Sequence, residues 1–345
     1  GSIGCGGTNN GEAAARWSMG HTRLAIVDPS NRFADMPFNL TFDNTGGDAN
    51  KTSTTIHLAA NGEIYNHQEV YARARDDGWD NDRISGSDCE VIAHAYAKYG
   101  GPKTAAMLDG MFAFVVFEEK DGEVNAFAAR DPVGIKPLYY GRTKGASEDD
   151  AAAYVFASEL KALVGHADPE TVVAIPPGHY WTPEGGLVCY YNPAWLRDDD
   201  HAPWENERNK VTDDDVREAF SKAVQKRMMA DVDYGFFLSG GVDSCIVSHD
   251  LLPLWRTQRE ALGDDRPIQT FTVGMENSPD VMAAKAMVDA LGGERAVKHN
   301  IRSFTPDEVF DLIPKIVYHM ETYEAELIRS AIPNWLLAER AAADV

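Results

Sequence analysis

The string Phe236-Phe237-Leu238-Ser239-Gly240-Gly241-Val242-Asp243-Ser244 is the sharpest chemical signal in the chain. An apolar run leads straight into Ser-Gly-Gly and then into a segment that can be helical. Two adjacent glycines let backbone N–H groups converge on one point and approach a bulky anion. A helix N-terminus behind them adds partial positive charge. Ser239 and Ser244 bring hydroxyl donors. Asp243 would repel a phosphate unless a cation stood between them, so an acid here points to Mg2+ bridging to a polyphosphate. No lysine follows the glycines, which excludes a Walker A loop. A turn needed only for strand-to-helix packing would explain Gly240-Gly241, but not the two serines and the acid.

Three separated segments carry a second kind of chemistry. Gly20-His21-Thr22-Arg23-Leu24-Ala25-Ile26-Val27 sets one arginine at the head of an apolar run, expected to be a strand. Asn61-Gly62-Glu63 interrupts a strand led by Leu58-Ala59-Ala60, and Ser87-Asp88 opens an expected helix. A free amino acid carries a carboxylate and an ammonium. Arg23 can fork onto the first, and Glu63 and Asp88 can take the second. Asn61 and the Gly62 N–H suit an oxyanion. Singly, each element has a plainer reading: a surface ion pair, a hairpin turn, a helix cap.

These groups need elements to hold them. In the first half, Leu108–Phe117, the turn Lys120-Asp121-Gly122-Glu123 and Val124–Ala129 read as a hairpin. Leu138–Tyr140 and Tyr154–Ala157 read as further strands, and Cys89, Ile92, Ala93 and Tyr96 have helical spacing. Strands in series imply stacked sheets. The second half alternates. Val216, Phe220, Ala223 and Val224 mark a helix capped near Thr212. Tyr234–Leu238 and Ile268–Val273 read as strands. Ser278-Pro279-Asp280 starts a helix that Gly292 ends, and Thr305-Pro306-Asp307-Glu308 reads as a capping box. That alternation implies a parallel sheet with helices on its faces. Between the halves, Arg197–Lys210 is acidic and poor in apolar residues, a linker; Asn44–Thr54 and Thr143–Asp150 read as surface loops.

With 345 residues, the chain suits two domains. Its formal charge of −22 argues against nucleic acid as the main partner. Cys5, Cys89, Cys189 and Cys245 form no CxxC pair, so neither a disulfide framework nor a zinc site is expected, and a reducing compartment fits. No apolar run is long enough for a membrane span, and the first residues do not read as a signal peptide.

The strings GHTRLAIVDP, NGEIYNH, SGSDCEVI, DGMFAFVVFE, RDPVGIKPLYYG and FASELKAL resemble the glutaminase domain of class II glutamine amidotransferases. Together with YGFFLSGGVDS, TFTVGMENSPD and YHMETYEAELIRSA, they resemble the glutamine-hydrolysing asparagine synthetases, from about Trp17 onward. The resemblance implies an α+β glutaminase sandwich (α/β/β/α) over 1–196 and a linker over 197–211. Over 212–345 it implies an α/β parallel-sheet ATP-pyrophosphatase domain of the adenine nucleotide α-hydrolase-like kind. It implies glutamine hydrolysis in the first domain, passage of ammonia, adenylation of aspartate by ATP with Mg2+ in the second, and displacement of AMP to give asparagine. By the same matching, Arg23, Leu24, Ala25, Ile26, Val27, Asn61, Gly62, Glu63 and Asp88 would hold glutamine. Asn61 and Gly62 would form the oxyanion hole. Leu238, Ser239, Gly240, Gly241, Asp243, Ser244 and Val273 would hold ATP, with Asp243 serving the metal, and Arg329 would lie near the pyrophosphate or the reacting carboxylate. A cytoplasmic enzyme of small-molecule substrates is implied, with neither nucleic acid nor membrane as partner, and a homodimer in keeping with the family.

The chain departs from that pattern in three places. The family's nucleophile is a first cysteine whose own α-amine is the base. Cys5 lies too close to Arg23 for that role and is read as an idle thiol. The Arg-Gly-Pro-Asp segment before the Arg23 run is absent, as is a second ATP-site segment after Val345, so the chain is expected to be a fragment at both ends. Glu326-Leu327 stands where many members have two threonines. A β-lactam synthetase-like ligase without glutaminase activity is one alternative, opposed by the intact Arg23, Asn61, Glu63 and Asp88 set. A non-enzymatic storage or regulatory protein on the glutaminase fold is another, opposed by the Ser239 loop.

Overall fold

Asp121 and Gly122 both adopt positive φ, 53° and 84°, the backbone of a two-residue hairpin turn matched to strand twist. They join two long strands of a chain seen here as a computed structural model describing residues 2–6 (backbone), 17–43, 53–144, 154–196, 210–276 and 278–344. The chain divides into two compact units, Gly1–Asn209 and Lys210–Val345. The expected linker and the Asn44–Thr54 and Thr143–Asp150 loops lie largely outside the described residues.

The first unit contains β1 (Ser2–Gly6), β2 (Trp17–His21), β3 (Phe38–Asp43), β4 (Ser53–Ile64), β5 (Gly110–Lys120), β6 (Glu123–Arg130), β7 (Tyr139–Arg142), β8 (Tyr154–Ala157), β9 (Val173–Ala174), β10 (His179–Thr182) and β11 (Gly186–Cys189). It also holds the helices α1 (His67–Asp76), α2 (Glu90–Tyr99) and α3 (Gly101–Met107). An antiparallel six-stranded sheet runs in the order β11-β10-β6-β5-β4-β3; β1-β2 and β8-β7-β9 form smaller antiparallel sheets.

Strand alternation sorts the core into two faces. Ile56, Leu58, Ile64, Phe112, Phe114 and Val116 bury against Val70, Ala74 and Ile92 of the helices. Ala113, Val115 and Ala128 face Trp17, Met19, Leu138, Ile175 and Trp181. The result is a helix layer, the large sheet and a second strand layer, the α+β architecture read from the sequence. Phe112 and Phe114 are at most 1% exposed, and burial of each contributes on the order of 1.5–3 kcal/mol.

The second unit alternates α4 (Asp213–Lys226), β12 (Gly235–Phe237), α5 (Val242–Ala261), β13 (Ile268–Gly274), α6 (Pro279–Ala290) and β14 (Val297–Ser303), then α7 (Pro306–Met320) and α8 (Ala325–Ala341). β12-β13-β14 is a parallel sheet, as the alternation requires. Thr212 caps α4 in a full capping box with Asp215, and Ser278 caps α6 through the Val281 N–H. At Thr305 the expected box is only half formed. Its hydroxyl accepts from Glu308 N (3.3 Å), but the Glu308 carboxylate pairs with Arg302 instead of reaching back. Among the described residues no helix is long and apolar enough to cross a membrane.

Candidate functional site

Two sequence expectations about the amino-acid site need correction. Leu24–Val27 is not a strand. β2 ends at His21, and Arg23 folds the following run into a loop by donating from Nη2 to the carbonyls of Val27 (2.6 Å) and Asp28 (3.0 Å). An internal arginine tie replaces ladder bonds, so apolar composition misleads here, and Leu24 is 85% exposed. Asn61-Gly62 does not interrupt β4 either. The strand runs on to Ile64, with Asn61, Gly62 and Glu63 opposite Ala113, Phe112 and Met111 of β5.

What makes this end of β4 special is its open edge. β3 pairs only as far as Leu58, and among the described residues no strand pairs with the later ones on that side. Ala60 N donates to Met36 Sδ (3.3 Å) and Ile64 N to Asp88 Oδ2 (2.7 Å). Backbone groups alternate sides along a strand, so Gly62 N–H points to the same open edge, between these two satisfied donors. Gly62 O faces that way too and accepts from Cys89 Sγ (3.5 Å). Only glycine fits: φ is 144°, and a Cβ would lie 1.9 Å from Met111 O.

This edge opens into a cleft of about 160 Å³ lined by Arg23, Leu24, Ile26, Val27, Asn61, Gly62, Glu63 and Asp88, together with His21, Cys89 and Lys136. Of the residues proposed from sequence for this site, Ala25 alone is not in the lining. The cleft thus gathers carboxylates, cations and a presented backbone N–H, the groups an amino acid with a reacting carbonyl would need. Cys89 cannot supply a nucleophile. Burial above all, then the carboxylates of Asp88 and Glu63, push its thiol well above the ordinary range. Burial also lowers the His21 pKa, against a bond to the Ala60 backbone, which favours the neutral ring.

The cleft walls are held by residues the sequence reading did not single out. The Asp28 carboxylate accepts from Gly86 N (2.6 Å) and Asn31 Nδ2 (2.8 Å), tying the Arg23 loop to the Asp88 loop. Glu90, wholly buried, accepts from Ile84 N (2.7 Å), Ser85 N (2.8 Å), Ser85 Oγ (2.5 Å) and His94 Nε2 (3.1 Å). Trp79 Nε1 donates to His94 Nδ1 (3.0 Å), which fixes Nε2 as the protonated nitrogen facing Glu90. Asp131, also wholly buried, gathers the N–H groups of Phe112, Val133, Gly134, Ile135 and Lys136 at 2.6–3.2 Å. The Asp-Pro-x-Gly turn signature at 131–134 was the available signal.

In the second unit, β12 delivers the Ser239 loop at its carboxyl end, where parallel sheets place ligands. Leu238 is fully buried, and both its backbone groups are committed: N to Phe271 O (2.9 Å), O to Thr272 Oγ1 (2.5 Å). It anchors the loop from beneath. Ser239 Oγ meets Ser244 Oγ (3.0 Å) and accepts from Gly241 N (3.3 Å). α5 begins at Val242 without a side-chain cap, so its first N–H groups face outward. Gly240 has φ 79°, and a Cβ there would sit 2.6 Å from Ala284 N. Asp243 is exposed in the first turn of α5. Val273, near the end of β13, packs with Ile316, Ile332 and Leu336. Arg329 is exposed on α8 and pairs with Glu326 (2.7 Å); among the described residues no hydrogen bond or ion pair joins it to the Ser239 loop.

The family model of the glutamine amidotransferase domain matches residues 7–176, and that of asparagine synthase matches 215–345. The chain is 37% identical over 326 residues to asparagine synthetase [glutamine-hydrolyzing] 2 of Arabidopsis thaliana, covering 93% of this chain and 49% of that protein. It is 36% identical over 324 residues to the enzyme of that name from Oryza sativa subsp. japonica, covering 93% and 48%. The chain therefore spans about half the length of the curated relatives it matches. A solved structure of B. subtilis glutamine phosphoribosylpyrophosphate amidotransferase with ADP and GMP aligns at a TM-score of 0.37 and 18% identity, over 82% of this chain and 67% of that one.

Proposed function

Because the chain joins a glutamine amidotransferase domain to an asparagine synthase domain, we propose that its protein is a glutamine-hydrolysing asparagine synthetase. The reaction takes ATP, L-aspartate, L-glutamine and water to AMP, diphosphate, L-asparagine and L-glutamate through a β-aspartyl-AMP intermediate. The observation that carries this reading is the cleft at the open edge of β4, where Arg23, Asn61, Gly62, Glu63 and Asp88 meet in one space.

In this reading Glu63 and Asp88 receive the glutamine ammonium, and the Arg23 loop forms the wall of positive charge opposite. Asn61 and the Gly62 N–H stabilise the oxyanion that forms as the side-chain amide is attacked, a contribution on the order of 3–4 kcal/mol for one well-placed donor. Glu90, Asp28 and Asp131 position the walls. The described residues thus bind and polarise glutamine, and the buried thiol of Cys89, which holds its proton, is not the attacking group.

The Ser239 loop takes the polyphosphate of ATP. Ser239, Ser244 and the open N–H groups of α5 supply donors, and Gly240-Gly241 allows close approach. Asp243 is suited to a magnesium ion that arrives with ATP. Among the described residues no cage of three or more His, Cys, Asp or Glu exists, and Mg2+ is commonly held by one or two carboxylates plus phosphates. Bound there, it would offset charge on the leaving pyrophosphate. The functional division falls at the 197–211 linker. Cys89, Cys189 and Cys245 are free thiols, in keeping with a reducing cytoplasm.

The test is aspartate-dependent exchange of labelled pyrophosphate into ATP by the whole protein. Exchange that requires aspartate supports the reading; exchange driven equally by other carboxylic acids, or none, removes it.

A further inference from the structure

β12 and β13 run parallel in a register that pairs Gly235 with Gln269, Phe236 with Thr270 and Phe237 with Phe271. One step further on, Leu238 stands opposite Thr272, and its N–H still follows the ladder, donating to Phe271 O (2.9 Å). In a parallel ladder the Leu238 carbonyl would accept next from the Val273 N–H. Among the described residues it accepts from no backbone N–H. The Thr272 hydroxyl takes it instead (2.5 Å). A side chain thus substitutes for the ladder bond at the residue where the chain leaves the sheet.

The other end of the same peptide is also held. Ser239 N donates to Ser244 Oγ (3.2 Å), in the first turn of α5. The Leu238–Ser239 peptide is therefore fixed at both atoms, its carbonyl by β13 and its N–H by α5. Gly240, next along, lies so near α6 that a Cβ would meet Ala284 N at 2.6 Å. Without the hydroxyl, the Leu238 carbonyl has two courses. It can rotate back to the Val273 N–H, which draws Ser239 away from Ser244 and turns the glycines out of their seat on α6. Or it can stay in place as a buried acceptor without a partner, which is costly.

We propose that Thr272 is a positioning residue for the polyphosphate of ATP. Its hydroxyl holds the Leu238 carbonyl out of the ladder and so sets the direction in which the Ser239 loop presents its N–H and hydroxyl groups. This rests on the Ser239 loop being the ATP site. Thr272 is 1% exposed, so it acts only through Leu238 and does not itself reach a ligand. Valine has nearly its shape without the hydroxyl, and serine has the hydroxyl without the methyl, so the two substitutions separate the hydrogen bond from the packing.

The experiment compares the whole protein with Thr272→Val and Thr272→Ser. It follows aspartate-dependent exchange of labelled pyrophosphate into ATP at varied ATP and at varied aspartate, with glutamate release from L-glutamine measured alongside. Thr272→Val should raise the KM for ATP by about tenfold, the scale of one lost partner to a buried carbonyl. The KM for aspartate and the rate of glutamate release should not change. Thr272→Ser should bring the ATP KM back close to the wild-type value. An unchanged ATP KM in Thr272→Val, an equal rise in both variants, or a parallel rise in the aspartate KM would overturn the assignment. Should Thr272→Val not fold, Thr272→Ala takes its place with the same expected rise. Failure of both to fold would make the hydroxyl a folding group and overturn the assignment as well. Wild-type protein without aspartate-dependent exchange would instead remove the ATP site itself, and the proposal with it.

Discussion

Replacing Glu90 by glutamine probes how the cleft is built. The carboxylate accepts four hydrogen bonds, from Ile84 N, Ser85 N, Ser85 Oγ and His94 Nε2, all within 3.1 Å and out of contact with solvent. An amide keeps one oxygen. Its NH2 must face either Ser85 N or the pair Ile84 N and His94 Nε2, so at least one buried donor loses its acceptor, at about 1–3 kcal/mol. The bonds that remain lose charge assistance, adding on the order of 1 kcal/mol. Glu90→Gln should therefore destabilise the first unit by about 2–4 kcal/mol, a shift of roughly 1–2 M in the urea midpoint. Tryptophan fluorescence follows it, with Trp79 as the local reporter beside His94. The pH dependence gives the sharper signature. Burial alone would raise the Glu90 pKa, but the bonds from His94, Ser85 and Ile84 outweigh it and leave it below its ordinary 4.5. A depressed carboxyl pKa contributes stability that is fully present above about 4.5 and is lost as pH falls through the folded value. The gap between wild type and Glu90→Gln should thus be constant from pH 8 to about 5 and shrink below 4.5. Because Ile84–Ser85 leads into Asp88, the glutamine KM should rise about tenfold, while ammonia-dependent synthesis holds. A gap under about 0.5 kcal/mol at pH 7, unaltered at pH 4, would refute the clamp.

Arg23→Ala should raise the glutamine KM steeply, since loss of its loop ties and charge costs on the order of 2–4 kcal/mol, and leave the ammonia reaction nearly intact; equal losses would make it a folding residue only. Asp243→Asn should abolish aspartate-dependent pyrophosphate exchange while glutaminase activity survives, and unchanged exchange would sink the ATP-site assignment. Gly240→Ala places a Cβ 2.6 Å from Ala284 N at φ 79°; weakened ATP binding measured by calorimetry, with the first unit's unfolding midpoint unchanged, is the expected outcome.

Much of this arrangement was legible because it is local. Asp121-Gly122 specifies its turn, Thr212 and Ser278 specify their helix starts, and the apolar run at 268–273 is a buried parallel strand. The Leu24–Val27 run misled because its conformation is set by the Arg23 guanidinium, which composition does not reveal. Glu90 was overlooked because an acid in a helix's first turn ordinarily faces solvent and complements the macrodipole; here it folds back on the preceding loop and is fully buried. Lys136 gives no signal of its own in the sequence, since only the fold shows that the 130–136 turn and the end of β4 line one cleft. The Gly62 N–H could be assigned only from strand register.

The most direct test of the two-site ligase is the fate of the glutamine amide nitrogen. The whole protein would be incubated with L-[amide-15N]glutamine, aspartate and ATP, and its products quantified. 15N is expected in the asparagine side chain, with AMP and pyrophosphate formed in equal amount. Formation of ADP and phosphate, or glutamate release without 15N-asparagine, would contradict it.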